Sequence, residues 1–89
     1  MTSQSATIMN ETGMHARPAS LFLSTATKFK SEVTIFKNGK AANAKSLISI
    51  LSLCITVGTE IQISAEGEDE REAVETLVKL VESKFGEAL

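Results

Sequence analysis

The chain's single histidine and single proline stand three residues apart, in the stretch Thr12-Gly13-Met14-His15-Ala16-Arg17-Pro18-Ala19-Ser20. A neutral imidazole carries a lone pair that can attack an electrophilic centre such as phosphorus. Two residues on, the Arg17 guanidinium offers a fork of N–H donors that fits phosphate oxygens. Other chemistries are less well supplied. Cys54 and the serines have no identifiable acid–base partners, which argues against a hydrolase. One histidine cannot build a metal centre when the only cysteine lies on a different element, so neither a metal nor a cofactor is expected. The bland alternative is a surface or capping histidine, and the residue types alone leave it open.

Local structure decides whether His15 and Arg17 can work together. A first strand is predicted from Ser5 to Met9, with Ala6 and Ile8 as its apolar positions. It ends near Asn10 and Gly13, and His15 then opens a helix whose inner face carries Ala19, Phe22, Leu23, Ala26 and Phe29. The first N–H groups of a helix have no partner inside it, and its N-terminus bears a partial positive charge. Pro18 costs little in the first turn, while Ala16 and Arg17 keep their amides. An anion attached to His15 would meet the Ala16 and Arg17 amides, the positive helix end and the Arg17 guanidinium. Those are the components of a phosphate site.

The remaining elements follow from periodicity. Val33 and Ile35 alternate with Glu32 and Thr34 as a second strand, and Asn38-Gly39 signals a tight hairpin. The third strand, Lys40 to Asn43, is short and weak in β-propensity, so it belongs at an edge. Ser46 to Val57 is apolar almost throughout. As a helix it separates into one stripe of Ile50, Leu53 and Cys54 and an opposite one of Leu47, Ile48 and Leu51; a buried strand is the competing reading. Ile61, Ile63 and Ala65 alternate with Glu60, Gln62 and Ser64 as the fourth strand. Glu66 to Asp69 forms a turn leading to a cap, and a final helix runs from about Glu70 to Phe85, stopped by Gly86. The βαββαβα order predicts one α+β domain over residues 1–89, an antiparallel four-stranded sheet covered on one face by helices.

Composition bounds the function. With 89 residues, 43% hydrophobic and 22% charged, the chain has a globular rather than a disordered composition. No stretch approaches the roughly 20 apolar residues of a membrane span, and the N-terminus lacks the basic and apolar regions of a signal peptide. Cys54 has no partner for a disulfide, so cytoplasm is the expected location. Six basic residues stand against Glu11 and Glu32 in residues 1–59, leaving +4, whereas residues 60–89 carry nine acidic and three basic groups, leaving −6. The basic part could face an acidic partner; the acidic part reads as a solvated helix. With no Trp, no Tyr and no basic run, nucleic acid is not an expected ligand.

The stretch TGMHARPAS resembles the active-site motif of HPr, the histidine-containing phosphocarrier family of the bacterial phosphoenolpyruvate-dependent sugar phosphotransferase system. The likeness extends to the chain's length, the βαββαβα order, Asn38-Gly39-Lys40 in the hairpin and Ala44-Lys45-Ser46 before the short helix. The resemblance implies an open-faced sandwich with sheet order 1-4-2-3 and three helices on one face. It implies that His15 accepts a phosphoryl group on Nδ1 from phosphorylated Enzyme I, with Arg17 binding the phosphate, and passes it to sugar-specific IIA domains. It implies a protein that is not an enzyme in its own right and works as a monomer. Ser46 would cap the short helix and, as in many relatives, take a regulatory phosphate from an HPr kinase/phosphorylase, a state read by a catabolite-control transcription regulator. Leu47, Ile48, Leu51 and Ser20 would form the patch on which partners dock. A regulatory paralogue of the catabolite-repression or nitrogen branch, acting by protein binding alone, is the alternative. The chain departs from the family pattern in having Ile48 and Leu51 where many relatives have methionine. It also has Cys54 where glycine is common, which as a structural residue would be a small buried hydrophobe.

Overall fold

Alternating side chains give each strand one apolar face, and the four strands turn that face the same way. In the computed structural model, which describes residues 1–87, β1 (Thr2–Thr7), β2 (Glu32–Lys37), β3 (Lys40–Asn43) and β4 (Glu60–Glu66) pair antiparallel in the order β1-β4-β2-β3. Register places Ala6 opposite Ile61, and Ile63 opposite Ile35. These side chains are buried beneath α1 (Ala16–Ala26), α2 (Leu47–Ser52) and α3 (Glu70–Glu82). Phe22 of α1, Ile50 of α2 and Val74 and Leu77 of α3 complete the core. The architecture is the expected open-faced sandwich. Asn38 and Gly39 both take positive φ, 48° and 81°, as a primed hairpin turn requires, and β3 lies at the sheet's edge.

Three local expectations are corrected. β1 begins at Thr2 rather than Ser5 and ends before Ile8. The segment Thr2–Ser5 has no apolar period, but β4 supplies a partner for each residue, and the Ser3 and Ser64 hydroxyls meet at 2.6 Å. Ile8 lies beyond the strand, yet it is buried, and its amide donates to Thr59 O at 2.9 Å. The last helix stops at Glu82; Phe85 reaches the core through a 3₁₀ turn in which its own φ is +56°, not by helical register. Asp69 precedes α3 without capping it through its side chain. Its carboxylate instead accepts from the Lys30 and Ser31 amides and from the Ser31 hydroxyl, tying the end of α1's loop to the start of α3. Those donors, the Ser31 hydroxyl foremost, hold the Asp69 carboxyl below its usual range. Glu70 beside it, bonded first by the Thr2 hydroxyl and then by the Gly67 amide, is held down to about 2.

The ambiguous apolar segment is helical only from Leu47 to Ser52, after which the chain turns sharply. Ile50 and Leu53 are buried as one stripe, but Cys54 leaves it: it is exposed and stands at φ +51°. A side chain at positive φ costs about 1–2 kcal/mol, and glycine gives back roughly 0.4–1 of that through the freedom it adds to the unfolded chain. Cys54→Gly is therefore expected to raise stability by about 0.5–1 kcal/mol, measurable as a small upward shift in the urea midpoint. A lower midpoint would show that the thiol makes contacts outweighing the strain.

Candidate functional site

His15 is the N-cap of α1, in extended conformation at φ −72° and ψ −174°. Its carbonyl accepts the first helical bond, from the Ala19 amide at 2.9 Å, while its ring is exposed and does not cap the helix. Among the described residues the Ala16 and Arg17 amides find no acceptor, and no carboxylate lies within ion-pair reach of Arg17. Arg17 and Ser20 are both exposed and stand three residues apart on α1, which places them on one side of the helix. An exposed imidazole, two free amides and an exposed, unpaired arginine thus all belong to the first turn of one helix. That arrangement can hold a tetrahedral dianion at the ring nitrogen.

The position of His15 is set by the backbone before it. Gly13 turns the chain at φ +63°, and a Cβ there would fall 2.7 Å from Ile55 O and 2.9 Å from Thr56 Cα. The next residue, Met14, is buried, and its amide donates to Ile55 O at 3.0 Å. The loop before α1 is therefore seated directly on the segment after α2. A polar cluster that sequence reasoning missed closes the other side. Asn10 is fully buried and donates from Nδ2 to Gly13 O at 2.8 Å and to Thr12 Oγ1 at 3.1 Å. Thr12 Oγ1 in turn donates to a Glu87 carboxylate oxygen at 2.8 Å. A lone asparagine after a strand reads as a turn residue, and nothing in its spacing shows that it is buried.

Beside His15 lies an open, mostly apolar depression of about 460 Å³, lined by Met14, His15, Ala16, Leu51, Cys54, Ile55 and Thr56. Leu51, one of these lining residues, is 38% exposed, and Ile48, three residues before it on α2, is 81% exposed. Leu47, the third residue of the expected stripe, is half-buried, with part of its side chain packed against the core. Ile48 and Leu51 thus carry the outward stripe. Ser46 is the N-cap of α2, as predicted, with its Oγ accepting from the Ser49 amide at a long 3.4 Å. A second hollow is lined by Glu32, Thr34, Asn43 and Lys45, whose ammonium donates to Phe29 O at 2.8 Å. Among the described residues no cluster of histidine, cysteine and carboxylate could hold a metal ion, and no helix is long and apolar enough to cross a membrane.

A family model described as the PTS HPr component phosphorylation site matches residues 2–83. The chain belongs to the HPr family. It is similar to the phosphocarrier protein HPr of Haemophilus influenzae, 47% identical over 91% of this chain and 95% of that one. It is also similar to the HPr-like protein Crh of Bacillus subtilis, 43% identical over 94% and 99%. Among solved structures, HPr-C-His from Thermoanaerobacter tengcongensis superposes with a TM-score of 0.97 at 50% identity, covering all of both chains. HPr from Bacillus anthracis gives 0.87 at 40% identity, over 90% and 95%. The sheet order and helix placement are those of the HPr fold.

Proposed function

We propose that this chain is a phosphocarrier of the phosphotransferase system, accepting a phosphoryl group on His15 from phosphorylated Enzyme I and passing it to sugar-specific IIA domains. The observation that carries this reading is the exposed His15 ring at the α1 N-cap, beside two amides without acceptors and an unpaired Arg17. In acceptance, the His15 Nδ1 lone pair attacks phosphorus and an N–P bond forms. The bond to Enzyme I breaks, and its electron pair stays on Enzyme I. In delivery, a nucleophile of the IIA domain attacks phosphorus, the N–P bond breaks, and its electron pair returns to His15 Nδ1. Little covalent chemistry falls to the protein beyond this; positioning and charge stabilisation dominate phosphoryl transfer. The Ala16 and Arg17 amides and the Arg17 guanidinium supply that stabilisation. The chain has no small-molecule substrate of its own in this reading, and it works in the cytoplasm as a monomer. A regulator acting by binding alone would have no use for a nucleophile set among free donors.

Partners dock on the depression beside His15 and on Leu47, Ile48, Leu51 and Ser20. The net +4 of residues 1–59 suits acidic partners. The test is a three-component transfer: with phosphoenolpyruvate and Enzyme I, label should reach a IIA domain only when this chain is added. Label that stays on Enzyme I in its presence would contradict the carrier role.

Ser46, at the edge of the same patch, is the site for a regulatory phosphate from an HPr kinase/phosphorylase, read by a catabolite-control regulator. Its hydroxyl is partly exposed and weakly engaged at 3.4 Å. Negative charge there opposes an acidic partner. Ser46→Asp is expected to slow phosphorylation by Enzyme I by at least about tenfold, with the loss shrinking at high salt. Equal rates for the variant and the parent chain would remove this switch.

A further inference from the structure

Lys37, the last residue of β2, lies outside the depression, yet it is bonded to the chain that forms its floor. Its Nζ donates to Leu53 O at 2.8 Å and to Cys54 O at 2.9 Å. These are carbonyls just past the end of α2, where a helix leaves its acceptors without internal partners. The ammonium also lies where the helix dipole favours positive charge. The need for such a clamp is visible in the same segment. α2 has six residues, too few to be stable alone, and Cys54 is held at φ +51° without being glycine. What the clamp holds matters for His15. Ile55 O accepts the Met14 amide, and Gly13 is seated on Ile55 and Thr56, so residues 53–56 join the docking helix to the N-cap of α1.

We propose that Lys37 is a positioning residue for partner docking: by bonding the Leu53 and Cys54 carbonyls it fixes the end of α2 and the floor of the depression against which partners seat. This rests on the phosphocarrier reading. Lys37 touches neither the phosphoryl group nor the imidazole, so it sets how well the docking face is formed rather than how fast the group moves once docked.

The test compares the full chain with Lys37→Met, Lys37→Gln and Lys37→Arg. Amide hydrogen exchange of the free proteins and initial rates of phosphorylation by Enzyme I over a range of carrier concentrations are both measured. Lys37→Met should raise exchange at residues 53–56 by about tenfold or more while leaving β2 and β4 protected. It should raise KM for the carrier by about five- to tenfold, with the saturating rate within about twofold. Lys37→Arg should recover most of both effects, and Lys37→Gln stands in should the methionine variant fold poorly. Unchanged exchange at residues 53–56 overturns the proposal. A raised KM without faster exchange also overturns it, because charge alone would then explain the effect. So does a rate that falls only with the folded fraction. If the parent chain itself takes no phosphate, the phosphocarrier reading fails and the docking role with it, while the exchange measurement still reports separately whether the clamp exists.

Discussion

His15→Ala should accept no phosphoryl group from Enzyme I, under conditions in which the parent chain is fully converted. The nucleophile is the only histidine in the sequence, and no second imidazole can take over. Stability should hardly change, because the ring is exposed and caps nothing; the cap is backbone, through His15 O and the Ala19 amide. Denaturation midpoints within a few degrees of each other would therefore accompany complete loss of acceptance. Arg17→Ala makes the useful contrast. It keeps the nucleophile and removes one set of donors, so transfer should slow by about 10²–10³ rather than stop. Residual labelling of the His15→Ala chain would place the acceptor elsewhere.

The second large effect is at Gly13, which does not touch the phosphate. Gly13→Ala adds a Cβ 2.7 Å from Ile55 O and 2.9 Å from Thr56 Cα, both backbone atoms of the segment that receives the Met14 amide. Neither can swing aside as a side-chain tip would. The turn also requires φ +63°. Strain and clash together should cost about 2–4 kcal/mol, a large share of a small domain's stability. If the loop instead shifts to relieve the clash, His15 moves with it. A displacement near 1 Å is worth about 10² in transfer rate. Gly39→Ala is the control: its φ is +81°, but an added Cβ meets nothing within 4 Å, so only the dihedral cost of about 1 kcal/mol applies. Equal losses of stability and activity in the two variants would mean that the contact with residues 55 and 56 does not position the site.

Features of short range were the ones written plainly in the chain. The candidate phosphate-binding residues fall within nine positions, and their parts (a turn glycine, an imidazole, an arginine, a proline in the first helical turn) each have a local reason to be there. The hairpin and the alternation in β2 and β4 are local in the same sense. What sequence could not show are polar contacts between distant segments, which leave no periodic trace. Asp69 bonds Ser31 from 38 residues away, and Lys37 bonds Leu53 from 16. Asn10 is buried through its own loop and the Glu87 carboxylate. The backbone at Cys54 and Phe85 was hidden for another reason. Positive φ is read from glycine or asparagine, and here tertiary packing imposes it on larger residues. Cys54 consequently turns outward to line the depression instead of filling the core, and α2 is shorter than its apolar run suggests. The start of β1 was obscured because its first residues are polar on both faces and owe their extended form to β4.

The central claim, that His15 carries a phosphoryl group, is tested most directly by intact-protein mass after incubation with phosphoenolpyruvate and Enzyme I, before and after brief acid treatment. The account predicts the added mass of one phosphate, removed by acid as a phosphohistidine would be, and absent from the His15→Ala chain. No added mass with an Enzyme I shown to be competent on another carrier, or a phosphate that survives acid, would contradict it.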